Sequence, residues 1–304
     1  MQAVATRQRG LTFLKHFQGF IHLFKLRIFA LLWVESVVGL LLASQLAPDL
    51  LRLVFLTLAG FLATGGSGAL NNFFDRDIDG KMKRTRSRPI PSGSVSPNEA
   101  LSIGLAMGAG GTALAFFSLG PLSGVMVLSG LLTYSFIYTV LLKRTTPWNI
   151  VVGGASGSFA FLAGWAAAQP VTLEAALISL MVFLWTPSHF WALAIKAVDQ
   201  YRAVGLPMLP VVSGVEKASK AIMANSVVLV GSSLALFALG FFGYVYLLAA
   251  LTLDGLLLSS DYALMRTSTA TAAWNAYKFT APYLFLMSAA MVLDRLVASF
   301  LSTL

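Results

Sequence analysis

Along this chain, apolar stretches of about 20 residues alternate with short polar interruptions, and that alternation is the dominant signal. A run of that length at 1.5 Å per residue crosses a hydrocarbon layer roughly 30 Å thick. Backbone amides in lipid need partners inside their own segment, so the runs read as helices. The pattern predicts nine spans, at residues 28–48, 52–74, 99–119, 121–142, 148–168, 174–198, 218–239, 241–260 and 280–301. Before the first, the amphipathic stretch Phe13 to Phe24 is expected to lie on the membrane surface, within an interfacial amino-terminal segment 1–27. Two loops are longer and more polar than the rest, 76–98 and 199–217, and chemistry is expected there. No linker or fixed-period repeat divides the chain, which reads as one domain over 1–304 and an all-α membrane bundle.

Composition agrees with that pattern. With 57% hydrophobic and 11% charged residues in 304, there are too few charges to coat a water-soluble globule of this size. The basic residues Arg7, Arg9, Lys15, Lys25 and Arg27 precede the first span without a small-residue cleavage site, so no removable signal peptide is read. Lys and Arg prefer the cytoplasmic side of short loops. With the amino terminus inside, nine spans leave only Arg52 and Arg295 outside. The net charge of +9 is therefore a sign of topology rather than of nucleic-acid binding, and it sets the polar loops at the cytoplasmic face of the cell's inner membrane. The absence of cysteine excludes disulfides, thiolate catalysis and cysteine metal ligands. Glycines at helical spacing, Gly104/Gly108, Gly120/Gly124 and Gly153/Gly157, are expected to let helices pack closely.

The stretch with candidate chemistry is Asn71-Asn72-Phe73-Phe74-Asp75-Arg76-Asp77-Ile78-Asp79. Asn71, Asp75 and Asp79 recur every fourth residue, so a continuing helix stacks their oxygens on one face while Asp77 points elsewhere. Hard oxygen donors in a row suit Mg²⁺, which commonly bridges a few carboxylates to substrate phosphates. Lys81, Lys83, Arg84, Arg86 and Arg88 follow, cations of the kind that hold phosphate oxygens. Together they describe a diphosphate site beside an apolar interior. The basic residues alone are explained as well by topology. Three polar groups on one face at a helix end are costly in a membrane, and that favours function for the set.

At these residues the chain resembles the membrane-embedded prenyltransferase superfamily typified by 4-hydroxybenzoate polyprenyltransferase, whose first motif is Asn-x-x-x-Asp-x-x-x-Asp. Within it the chain is most similar to the protoheme IX farnesyltransferase, or heme O synthase, branch. The residues are Asn71 to Asp79 with Met82-Lys83-Arg84-Thr85-Arg86-Ser87-Arg88-Pro89, then Tyr138 to Ile150, Trp185-Thr186-Pro187-Ser188-His189-Phe190-Trp191 and Gly205-Leu206-Pro207-Met208. The resemblance runs from about Lys25 to the carboxyl end. It implies nine helices, Mg²⁺ as cofactor, farnesyl diphosphate and heme b as substrates, and release of diphosphate as the prenyl chain joins a heme vinyl group to give heme O. Association with heme A synthase or terminal-oxidase assembly goes with that branch. Departures are Lys25-Leu26-Arg27 where a proline usually separates the bases, Glu35 within the first span, Ala160-Phe161 where prolines usually stand, and Gln200 where an acid usually precedes Tyr201.

A second polar group completes the candidates. His189 and Lys196 are seven residues apart and face one side of a continuous helix, with Asp199 one turn beyond. A lone histidine on an apolar helix is usually a packing residue. The matching Pro-x-His-Phe motif makes His189 a candidate to meet heme, as an iron ligand or through a propionate, or to orient water. The expected catalytic set is thus Asn71, Asp75, Asp79, His189, Lys196 and Asp199, with Asn71, Asp75, Asp79 and Asp199 on the metal. Lys25, Arg27, Lys83, Arg84, Arg88, Lys143, Tyr138 and Tyr201 are the expected substrate contacts. Tyr134, Tyr138 and Trp191 line a channel or anchor the interface; Arg144 reads as a topological charge. Two other functions fit less of the sequence, a related enzyme acting on a quinone precursor and a non-catalytic membrane heme carrier.

Overall fold

A computed structural model describes His16 and residues 18–303. The Phe13 end of the expected surface helix and the bases Arg7, Arg9 and Lys15 lie outside the described residues; residues 18–23 are helical. Nine helices among the described residues are long and apolar enough to cross a membrane. They are α1 (Leu26–Ala43), α2 (Leu50–Phe74), α3 (Pro97–Ser118), α4 (Pro121–Leu132, continued by the π-helix Thr133–Leu142), α5 (Asn149–Ala166), α6 (Leu173–Lys196), α7 (Val215–Ala238), α8 (Tyr244–Thr267) and α9 (Ala270–Leu301). Each packs on the next in sequence, and α9 returns to α1, so the helices close into a ring; α1 also crosses to α5 and α6 to α9.

Local signals set several of the ends. Ser96 accepts from the Glu99 amide and Glu99 reaches back to the Ser96 amide, with Pro97 at the first turn of α3. The hydroxyls of Thr172 and Thr269 cap α6 and α9 by accepting from the Ala175 and Ala272 amides. Where the pattern and the structure differ, backbone geometry gives the reason. The first span stops at Ala43 rather than 48, because Gln45 and Leu46 take left-handed φ of 50° and 65°. The interruption expected at 261–279 shrinks to Ser268 and Thr269, since α8 and α9 continue as helix through polar residues. Ser268, at φ 49°, makes the turn. Asp261, which lowers the local hydropathy, is buried and accepts from Ser226 at 2.6 Å.

Two seams depend on glycine. A Cβ on Gly164 of α5 would lie 1.7 Å from the Ser36 carbonyl oxygen of α1, and one on Gly39 would lie 2.4 Å from that of Phe161. Between α2 and α3, a Cβ on Gly66 would meet the Gly108 nitrogen at 2.6 Å, and one on Gly104 would meet Leu70. Small residues allow this approach in lipid, where dispersion replaces the hydrophobic effect as the packing force. Gly120 instead opens α4 at φ 103°. The seams give a stability test. Gly164→Ala should lower the melting temperature in detergent, at a cost of about 1–3 kcal/mol or more from overpacking. Gly110→Ala, whose Cβ would meet nothing within 4 Å, should leave it unchanged or raise it.

Candidate active site at the polar end of the bundle

The helix through the acid motif continues as the spacing requires. α2 ends at Phe74, Asp75 holds near-helical angles, and a short helix Arg76–Asp79 follows. The amide of Asp75 donates to the Asn71 carbonyl at 3.0 Å and that of Asp79 to Asp75 at 2.9 Å, so the register survives. Asn71, Asp75 and Asp79 are all buried, Asp75 completely. Asn71 Nδ2 donates to Asp75 Oδ2 at 2.8 Å, which joins the row. Asp77 leaves the row and takes a two-pronged ion pair from Arg144 at 2.7 and 2.8 Å. That hydrogen-bonded pair holds the Asp77 carboxyl below the usual range. Arg144 also donates to the Phe74 carbonyl, so this basic residue caps α2 in addition to serving topology.

Cations surround the buried acids. Lys143 Nζ donates to Asp75 Oδ2 at 2.5 Å, and Arg88 Nη1 meets both oxygens of Asp79 at 2.8 and 2.9 Å while lying 4.0 Å from Asp75. Lys25 donates to Asn71 Oδ1 and, at 3.0 Å, to the Tyr134 hydroxyl. Burial, with the Arg88 charge nearby, pushes Lys25 down to about 7. Burial also lowers Lys143, against the pull of Asp75. Burial opposes the charge on Arg88, but Asp79 outweighs it and raises the guanidinium further. The 76–98 and 199–217 loops meet here, where Arg84 donates to the Tyr201 hydroxyl at 3.2 Å and its amide to Gln200 Oε1 at 3.2 Å. Burial raises the Tyr201 hydroxyl.

The π-helix ending α4 sets part of this geometry. Nine residues of α-helix make about two and a half turns, which would put Lys143 opposite Tyr134. The wider i→i+5 coil, closed by the Lys143 amide on the Tyr138 carbonyl at 2.8 Å, returns both to the side facing α2. Thr139 comes with them and accepts from Asn71 Nδ2 at 3.1 Å. Thr139 was not among the expected site residues, and Tyr134, expected to line a channel or anchor the interface, instead bonds Lys25. An amphipathic pattern scored at 3.6 residues per turn carries no sign of a π segment.

Not every candidate joins. Asp199, expected on the metal, is exposed and pairs with Arg202 at 2.8 Å. Lys196 is exposed too. The expected register fails because α6 stops at Ala197 (φ −111°, ψ 19°), and a separate short helix Val198–Ala203 begins there. His189 lies elsewhere, between α6 and α9, with Nδ1 2.6 Å from Thr280 Oγ1. Arg27 and Lys83 are exposed at the same end. Tyr138 and Trp191 are buried in protein, which removes the interface-anchor reading for both.

The oxygens present fit a divalent ion in one specific way. Asp75 Oδ1 is buried with no hydrogen-bond partner, an open acceptor beside Asn71 and Asp79. No cluster of three or more acids or histidines that could hold a metal occurs among the described residues, so phosphate oxygens would have to complete the shell.

Residues 32–289 match the UbiA prenyltransferase family. The chain belongs to that family. Among curated relatives of this UbiA-family chain, a protoheme IX farnesyltransferase of Cenarchaeum symbiosum is 46% identical over 276 residues, 89% of this chain and 93% of the relative. One from a Roseiflexus species is 38% identical over 92% of this chain; the chain spans 53% of that longer relative. Among solved structures, digeranylgeranylglyceryl phosphate synthase superposes with a TM-score of 0.79 at 20% identity, covering 92% of this chain and 98% of that one. A UbiA homologue of Archaeoglobus fulgidus bound to GPP and Mg²⁺ gives 0.66 at 17% identity, covering 90% and 99%. The fold is therefore that of a multi-pass membrane prenyltransferase.

The lowered lysines predict a pH dependence. Between about 7 and the ordinary lysine range the unfolded chain binds more protons than the folded one at Lys25, so stability rises with pH there. Metal-free protein should melt at higher temperature as pH climbs from 7 to about 10. Lys25→Met should flatten that rise, leaving the part due to Lys143.

Proposed function

We propose that this chain transfers the farnesyl group of farnesyl diphosphate to one carbon of a vinyl group of heme b while water adds its hydroxyl to the other carbon, releasing diphosphate and a proton and yielding heme O. The observation that carries the reading is the buried row Asn71, Asp75 and Asp79 enclosed by Lys25, Lys143 and Arg88 at the mouth of an apolar bundle. Curated relatives that share most of their length with this chain carry the protoheme IX farnesyltransferase name, which supports the choice of donor and acceptor.

Asp75, Asp79 and Asn71 would hold Mg²⁺ through Asp75 Oδ1 and neighbouring oxygens, and the ion would supply positive charge to the departing diphosphate. Arg88, Lys143 and Lys25, already bonded to the row, would supply donors to the phosphate oxygens. Arg84, fixed by Tyr201 and Gln200, presents its guanidinium from the loop. Cations already in place lower the cost of separating charge as the allylic carbon–oxygen bond breaks. Asp199 and Lys196 have no part in this reading. The site faces the cytoplasm across the cell's inner membrane, the side favoured by the basic loops. Heme A synthase or terminal-oxidase assembly is the expected neighbour, as consumer of the product.

Purified protein given Mg²⁺, farnesyl diphosphate and heme b should yield farnesylated heme by mass spectrometry and shift the Soret band of added heme. Asp75→Asn should cut turnover by at least about a hundredfold with the melting temperature retained. Asp199→Asn should remain near wild type. Normal turnover in Asp75→Asn removes the metal-site assignment. Prenylation of an aromatic quinone precursor with no Soret shift would move the acceptor, and heme binding without diphosphate release would leave only a carrier.

A further inference from the structure

His189 is held as no ordinary packing histidine needs to be. Its ring stacks on Trp185, one turn earlier in α6, with centroids 4.5 Å apart, and Tyr277 of α9 covers the other side at 4.6 Å. Its Nδ1 lies 2.6 Å from Thr280 Oγ1, and that hydroxyl lies 2.8 Å from the Tyr277 carbonyl oxygen. The carbonyl can only accept, so the single hydroxyl proton of Thr280 is spent on it and Oγ1 offers Nδ1 a lone pair. Nδ1 therefore carries the ring hydrogen, and Nε2 carries a free lone pair. The Thr280 backbone is fixed in turn by Trp185 Nε1, which donates to its carbonyl at 2.7 Å.

A satisfied core histidine would use both nitrogens. Here Nε2 has no hydrogen-bond partner among the described residues, and it is not one of the sealed, unpartnered polar atoms. It therefore keeps some accessible surface. A neutral imidazole whose Nδ1–H is committed to a protein oxygen, leaving Nε2 free, is the arrangement of metal-ligating histidines. Of the three histidines in the sequence, His16 bonds Ser94 and pairs with Glu99, and His22 is exposed before α1, so His189 alone lies within a span.

We infer that His189 Nε2 is an axial ligand to the iron of the tetrapyrrole acceptor, with Thr280 as the positioning residue that fixes its tautomer. The inference rests on the heme reading above and deepens it. One iron–nitrogen bond would fix the macrocycle relative to α6 and α9, and it would discriminate a metalloporphyrin from a metal-free aromatic of similar polarity. Trp185 has no ligating lone pair, and with Tyr277 it keeps the imidazole from turning.

The test adds ferric heme b to the full-length protein in detergent and follows the Soret band and the electron paramagnetic resonance spectrum, with heme O formation measured in parallel. Wild type should show a histidine-ligated iron. His189→Ala should lose that signature, and free imidazole should restore it. Thr280→Val should weaken heme binding about tenfold to a hundredfold, and Thr280→Ser should restore it. Thermal stabilisation of each variant by farnesyl diphosphate with Mg²⁺ reports that it is folded. If wild type makes heme O while His189→Gln keeps an unchanged heme spectrum, the ligand assignment is overturned and the prenyl-transfer reading stands. Loss of turnover with that unchanged spectrum overturns it as well, in favour of proton transfer at Nε2. Wild type that neither binds heme nor makes heme O ends both.

Discussion

A carboxylate with no exposed surface is the constraint around which this molecule is arranged. A buried carboxylate such as that of Asp75 needs cations beside it, because the desolvation of a lone buried ion costs several kcal/mol or more. The cations come from three distant parts of the chain, the approach to α1 (Lys25), the loop after α2 (Arg88) and the end of α4 (Lys143). Lys143 pairs with Asp75 itself, Arg88 with Asp79 next to it and Lys25 with Asn71, so convergence on one row ties those segments together at the polar end. It also produces a site dense in positive charge with few carboxylates, the balance suited to a strongly anionic guest.

The π segment shows how local backbone geometry serves that convergence. An α-helix would be the better hydrogen-bonded coil over Thr133–Leu142, and the wider coil is kept where it turns Tyr134, Thr139 and Lys143 toward α2 together. Its alignment is used at each of those residues, which is the usual circumstance in which unfavourable helical geometry persists.

What could be read from residues alone follows from the same physics. Nine apolar runs were legible because lipid leaves a span no choice of structure, and the triad was legible because α2 keeps its register through Asp79. Lys143 was visible as a nearby base, but its partner was not, since a π coil has no sequence signature. Asp199 misled because its place one turn after Lys196 assumed that α6 continues past Ala197. The interval 261–279 misled in the opposite sense: most of its polar side chains lie exposed on helix that runs on past the apolar stretches, and Asp261 is buried against Ser226 of α7. His189 was recognisable as a candidate, whereas the oxygen holding its Nδ1 lies 91 residues away in sequence.

The α1–α5 seam carries a mechanical consequence. Where Gly39 and Gly164 bring two main chains into contact, no rotamer change can widen the gap, and separation means displacing whole rods against their neighbours. The pair is therefore the stiff spine of the barrel. A broad, flat macrocycle arriving sideways from the bilayer would have to enter through a seam closed by side chains that can swing, on a flank away from that spine.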